Sequence, residues 1–394
     1  MSAQLSNRVQ QIKPSPTLAI TSKAAELRAA GQDIIGLGAG EPDFDTPEHI
    51  KQAAVDALNA GKTKYTPVDG TPELKDAVIE KFRRDNNLTY ERNQILVSCG
   101  GKQSFFNLAL ALLNPGDEVI IPAPYWVSYP DMVKIAEGTP VILESSADTG
   151  FKITADQIRS ALTERTRLVV INSPSNPSGK AYSREELAAI GQVLEERPDV
   201  MVATDDMYEH ILWSGDFVNI VNATPSLKDR TFVLNGVSKA YSMTGWRIGY
   251  AAGPADVIGA MKKIQSQSTS NPASISQAGA TAALNGPQDC VGEMLKAFKE
   301  RHDYVVRALN ELPGVDCIES DGTFYAFPGF QGAIEATPGV SNDQELAEYL
   351  LQEAGVALVP GSAFGTPGHM RLSFATSMDN LKNAIERLGK ALKT

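Results

Sequence analysis

Lys239 stands just past an apolar run in FVLNGVSKAYSMTGWRIGY, residues 232–250, and Arg247 follows eight residues later between Gly245 and Gly249. A lysine held in a desolvated pocket loses part of its affinity for a proton and can condense with an aldehyde. The arginine offers a planar fork that fits a phosphate. For any single lysine the ordinary alternative is a surface side chain that carries its charge to water. Four more segments have comparable chemistry. Gly100-Gly101-Lys102-Gln103 lets backbone approach closely and points free amides at an anion, or is a plain strand-to-helix turn. In NSPSNPSGK, residues 172–180, two prolines stiffen the loop and present Asn176 as a fixed donor, unless the loop is only a turn. VMVATDDMY, residues 200–208, ends an apolar strand on two carboxylates, which is costly without a cation opposite, although an aspartate can also cap a helix. Finally, HMRLSF, residues 369–374, places Arg371 inside an apolar run, where it needs an anionic partner, from the protein itself or from a ligand.

These segments fall at or beyond the carboxyl ends of expected strands, or in adjoining loops, and that edge is where open α/β sheets bind ligands. Runs rich in Val, Ile and Leu at 95–98, 118–121, 168–171, 200–204, 232–234 and 248–251 read as buried strands, with helical patterns between most of them. Ser183 and Glu186 form a capping box for a helix over 183–196. Thr21 to Ala30 reads as a helix after a proline-rich arm, Asp33 to Leu37 as a short strand, and Thr46 as the cap of a helix running to Asn59. Further helices are expected over 103–113, over 292–309 as a connector, and over 378–392. The class is therefore α/β: a large domain with a mostly parallel sheet flanked by helices, plus a small α+β domain. Residues 1–47 and 296–394 are expected to build the arm and small domain, and 48–295 the large domain.

A chain of 394 residues with 42% hydrophobic and 21% charged residues can build two sizeable cores. A formal net charge of −11 disfavours nucleic acid and anionic membrane as partners. Cys99, Cys290 and Cys317 are widely spaced and suggest no disulfide framework, which with the lack of a signal-like amino terminus leads to the expectation of a cytoplasmic protein. GLGAG at 36–40 continues into Glu41-Pro42-Asp43 and cannot open a dinucleotide-binding helix. Pro174 occupies the first glycine position of a phosphate loop ending at Lys180, and the four histidines lack metal-ligand spacing, so no metal is expected.

SKAYSMTGWRIGY, with NPSG upstream and MRLSF downstream, resembles class I (fold-type I) pyridoxal 5′-phosphate (PLP) aminotransferases, in the bacterial subgroup of aspartate and prephenate aminotransferases. The similarity runs from about Val9 to Leu388. It implies that Lys239 bonds the cofactor aldehyde and then moves a proton on the substrate. Asp205 would keep the pyridine nitrogen protonated, Asn176 and Tyr208 would donate to the ring oxygen, and Trp126 would stack on the ring. Gly101, Lys102 and Arg247 would hold the phosphate, joined by Tyr65 from the other subunit of a homodimer. Arg371 and the Gly40 amide would bind the substrate α-carboxylate. Lys102, Ser15 and Thr17 would receive a distal carboxylate, and Lys13 a bulkier acid. Ser178 replaces a threonine common in relatives, a mild departure. The implied reaction passes an amino group between aspartate, with glutamate, prephenate or arogenate as further candidates, and 2-oxoglutarate or oxaloacetate. A β-lyase or synthase on the same cofactor is the rival enzyme, and a PLP-binding sensor module the rival of another class.

Overall fold

The computed structural model describes residues 3–392. Its centre is a seven-stranded sheet, made of β1 (Ile95–Ser98), β2 (Glu118–Pro122), β3 (Thr139–Leu143), β4 (Thr166–Asn172), β5 (Met201–Asp205), β6 (Thr231–Gly236) and β7 (Gly249–Ala252). The spatial order is β1-β7-β6-β5-β4-β2-β3. Only β7 runs against its neighbours, antiparallel to both β1 and β6. The inner parallel strands carry runs of Val, Ile and Leu because both faces are covered. Leu168 and Val170 of β4 join Phe105 and Leu108 of helix Gly101–Leu112 on one face. The alternate residues Val169 and Ile171 join Ile190 and Val193 of helix Arg184–Glu195 on the other. A two-residue side-chain period requires this split.

A third core lies outside the sheet. Phe298, Leu309, Phe324, Leu346, Leu372 and Leu388 bring together helices Asp289–Leu309, Asp343–Glu353 and Met378–Ala391. Against them lies a small antiparallel sheet of β8 (Tyr325–Ala326), β9 (Val359–Pro360) and β10 (Met370–Ser373), in the order β9-β10-β8. Helix Asp289–Leu309 places Val291 in the sheet core and Met294 to Leu309 in this third one. The amino-terminal strand Ile35–Gly36 pairs in parallel with Val356–Ala357, so both chain ends feed the same lobe.

Three local expectations need correction. The first long helix begins at Pro16, not Thr21, with Ser15 extended before it. Proline presets the helical φ and its missing N–H is no loss at the first helical position, so the arm's proline starts the helix early. Thr46 does not cap helix Glu48–Asn59. Its hydroxyl donates to the Ser242 carbonyl (2.7 Å) and accepts from Trp246 Nε1 (2.9 Å), leaving Pro47 at the cap position. The helix after β1 begins at Gly101 rather than Gln103. Strand β3 had no counterpart in the expected list. It lies at the sheet edge, and it contains Pro140 and is only half-buried, so it lacks the apolar run that marks its neighbours. Among the described residues, no helix is long and apolar enough to cross a membrane.

Candidate active site

The reversed strand β7 explains why Lys239 and Arg247 share a site. β6 ends at Gly236, three residues before Lys239, while β7 starts at Gly249, two residues after Arg247, and Gly236 and Gly249 are paired in register. Ser98, the last residue of β1, also pairs with Gly249. The amino end of β7 therefore meets the carboxyl ends of β1 and β6, and Gly100 and Gly101 arrive there as well. The approach tolerates no side chains: a Cβ on Gly249 would lie 2.2 Å from the Gly101 nitrogen, and one on Gly100 would lie 2.3 Å from Arg247 Nη2. Arg247 is fixed by donating to the carbonyls of Thr244 (2.9 Å) and Cys99 (3.3 Å).

A cavity of about 390 Å³ opens on this edge, lined by Lys239, Asp205, Asn176, Tyr208, Trp126, Gly40, Gly101, Lys102, Arg247, Arg371, Ser15 and Thr17. Lys13 lies outside it, lining an adjoining cavity with Ser15, Lys102 and Arg247. Tyr65 does not line the cavity of its own chain and is 92% exposed. Residues that were not singled out in the sequence also line it, notably Tyr325, Asn172 and Glu41. Tyr325 is hidden in the apolar run Phe324–Phe327, where nothing distinguishes a cavity phenol from a core aromatic.

Lys239 Nζ donates to the Gly40 carbonyl (2.5 Å). Burial, with Arg371 and Arg247 nearby, brings its pKa down to about 8, against the opposing pull of Glu41 and Asp205. The two acids at the end of β5 separate by strand alternation. Asp205 enters the cavity, while Asp206 turns to the opposite side, where it accepts from Asn219 Nδ2 and from Thr204 Oγ1 (2.6 Å). Burial raises the pKa of Asp205; Tyr129 and the Met207 amide, which donates to its Oδ1 (3.2 Å), oppose the rise. Burial and the charge of Glu209 push Asp206 up to about 8. Tyr208 and Tyr325 share a hydrogen bond of 2.9 Å between hydroxyls. Burial and the charge of Arg247 lower the pKa of Lys102, whose ammonium sits 5.1 Å from the Trp126 ring centre.

Arg371 enters from β10, between the rings of Tyr325 (4.5 Å) and Phe364 (5.0 Å). It donates to Asn176 Oδ1 (2.9 Å) and to the Gly38 carbonyl (2.8 Å), neither of which is an anion. Its Nε is buried with no hydrogen-bond partner among the described residues, and so is Thr17 Oγ1. The bond from Arg371 fixes the Asn176 amide with its oxygen toward the arginine. The Gly40 carbonyl takes the lysine, and a Cβ there would come within 3.0 Å of the Tyr325 hydroxyl.

These residues fit a phosphorylated pyridine aldehyde. The glycine-lined start of helix Gly101–Leu112 beside Arg247 is a cradle for an anion, and a Cβ on Gly100 would crowd it. A half-buried carboxylate at the cavity wall suits a ring cation, and a lysine of lowered pKa suits an aldehyde. The buried arginine, with no anionic partner among the described residues, suits a substrate carboxylate. Among the described residues no cluster of His, Cys, Asp and Glu could hold a metal ion.

Comparison with known proteins agrees with this chemistry. Residues 32–388 match the family described as aminotransferase class I and II. An aspartate/prephenate aminotransferase of Nitrosomonas europaea is 61% identical over 99% of this chain and 100% of that protein. One of Cereibacter sphaeroides is 54% identical over 98% of each. The crystal structure of an aspartate aminotransferase from Rhizobium meliloti superposes with a TM-score of 0.96 at 51% identity, covering 100% of this chain and 99% of that one. The Thermus thermophilus aspartate aminotransferase with maleate gives 0.93 at 44% identity, covering 99% and 100%. The chain belongs to the class I and II aminotransferases, and it is a PLP-dependent enzyme of the aspartate aminotransferase type.

Proposed function

We propose that this enzyme exchanges an amino group between aspartate and 2-oxoglutarate in two half-reactions, with prephenate as a further oxo-acid acceptor. The observation that carries the reading is Arg371, a buried cation with no anionic partner among the described residues, opening onto the same cavity as Lys239 and Asp205. Full-length relatives named aspartate/prephenate aminotransferases support the choice of acids.

PLP, when bound, supplies the electron sink that lets the substrate Cα–H bond break. The protein supplies position and protons. Lys239 Nζ, whose hold on its proton is weakened by its surroundings, would receive the substrate Cα proton and return one on the other side of the transfer. Asp205 would hold the ring nitrogen in its protonated form, while Tyr208 and the Asn176 amide nitrogen would donate to the ring oxygen. Trp126 covers one ring face. The amides of Gly101 and Lys102 would hold the phosphate together with the Arg247 fork. Arg371 fixes the α-carboxylate and so orients the bond to be broken. Lys102, Ser15 and the unpartnered Thr17 hydroxyl receive the distal carboxylate, with Lys13 in the adjoining cavity for a bulkier acid.

A homodimer completes this site with Tyr65 of the second copy, a reading supported by the exposure of that ring on its own chain. The two-domain division at about residues 48 and 296, and a cytoplasmic location suited to three free cysteines, belong to the same proposal. The test is to add single amino acids to the holoenzyme and follow the cofactor absorbance. Aspartate and glutamate should convert it to the amine form, and alanine and phenylalanine should not. Conversion by alanine alone, or by none of the four, overturns the reading. Prephenate added after aspartate should restore the original band.

A further inference from the structure

Asp205 must keep its charge in a half-buried place, and among the described residues two groups donate to its carboxylate. The Met207 amide reaches Oδ1 (3.2 Å), and the Tyr129 hydroxyl donates to Oδ2. Tyr129 is buried and is the first residue of the short helix Tyr129–Ile135, following PAPYWVS. Its ring is wedged between Phe105 (centroids 4.9 Å apart) and Trp126 (5.1 Å, edge-on), and its amide donates to the Trp126 carbonyl (3.1 Å). Phe105 belongs to the helix whose start forms the anion cradle, and Trp126 lines the cavity. One side chain therefore ties the anion end, the ring face and the carboxylate together.

From this geometry we infer that Tyr129 is a positioning residue of the reaction, whose hydroxyl holds Asp205 in its ionised form and aims the carboxylate at the cofactor ring nitrogen. The inference rests on the role proposed for Asp205 and extends it. A carboxylate in an apolar place is stabilised by each donor it keeps, and donors to ionised groups are the stronger kind. Without the hydroxyl the carboxylate becomes more basic and draws the proton away from the ring nitrogen, which weakens the electron sink. Burial and the adjacent Asp205 hold the pKa of Tyr129 well above that of an ordinary tyrosine, so it remains a donor. Had Tyr129 been only a core aromatic, a phenylalanine would serve as well, and its hydroxyl would be a cost to bury.

The experiment uses holoenzyme loaded with PLP labelled with ¹⁵N in the ring. The nitrogen resonance is measured in the unaltered protein, Asp205→Asn, Tyr129→Phe and Phe105→Leu, together with the thermal midpoint of each and single-turnover rates with aspartate. Tyr129→Phe should fold normally, because its ring contacts remain. Its resonance should move toward that of Asp205→Asn, and its rate of Cα-proton removal should fall roughly 10- to 100-fold, with the KM for aspartate little changed. Phe105→Leu, which loosens the ring but keeps the donor, should leave the resonance in place. A resonance and rate in Tyr129→Phe equal to the unaltered protein overturn the inference, and so does an equal displacement in Phe105→Leu. If Asp205→Asn itself leaves the resonance unmoved, the assignment of Asp205 fails instead, so the two failures are distinguishable.

Discussion

Replacing Gly100 with alanine should damage the anion cradle twice over. Gly100 has φ 89° and ψ 159°, a region essentially reserved for glycine, and forcing an L side chain there costs about 1–3 kcal/mol. The new Cβ would also stand 2.3 Å from Nη2 and 2.9 Å from Cζ of Arg247, so the guanidinium must leave its bonds to Thr244 and Cys99. A displaced fork forfeits at least one charge-assisted bond to phosphate, about 1.5–3 kcal/mol, or roughly 10- to 100-fold in cofactor affinity. Titration of the apoprotein with PLP measures the second cost, and urea unfolding of the apoprotein measures the first. Repeating the substitution in an Arg247→Ala background separates them, since the steric conflict is then gone. There Gly100→Ala should still lower stability by about 1–3 kcal/mol but change affinity by less than about threefold. If Gly100→Ala alone leaves both stability and affinity intact, the cradle described here is wrong.

Three further outcomes follow from the site. Arg371→Lys removes the planar fork and its unpartnered Nε, and should raise the KM for aspartate about 100-fold while cofactor affinity stays within about threefold, read by initial rates and PLP titration. Lys239 has its pKa lowered to about 8 against 10.5 for an ordinary lysine, so between these values the unfolded chain holds a proton that the folded one has released. Through this group apoprotein stability rises with pH from about 8 to about 10.5, and the gain should be missing from Lys239→Met when urea midpoints are compared across that window. Mixing Tyr65→Ala with Lys239→Ala protein should regenerate activity that neither has alone, because the mixed dimer has one site with both groups intact; continued inactivity of the mixture, with heterodimers demonstrated, refutes the delivery of Tyr65 from a second copy.

Much of the site could be read from the sequence because its residues are out of keeping with their surroundings. Lysine after a buried strand, arginine within an apolar one and paired acids at a strand end each need a partner, and Lys239, Arg371 and Asp205 do line one cavity. The central strands were legible for a related reason, since burial on both faces leaves unbroken runs of Val, Ile and Leu. Strand β3 escaped because an edge strand needs no such run. The direction of β7 is a property of the fold rather than of its four residues, yet it is what brings Arg247 to the cradle. Tyr129 and Tyr325 escaped because a phenol in an apolar stretch reads as core until its hydroxyl has an address. Thr46 looked like a cap and instead joins Trp246 to the Ser242 carbonyl, a partnership nearly two hundred residues distant in sequence.

The most direct test of the whole account is chemical. Holoenzyme reduced with borohydride, digested and sequenced by mass spectrometry should carry the phosphopyridoxyl group on Lys239, and Lys239→Ala should bind PLP without becoming labelled and lose turnover by several orders of magnitude. A label on Lys102 or any other lysine, or full activity in Lys239→Ala, would contradict it.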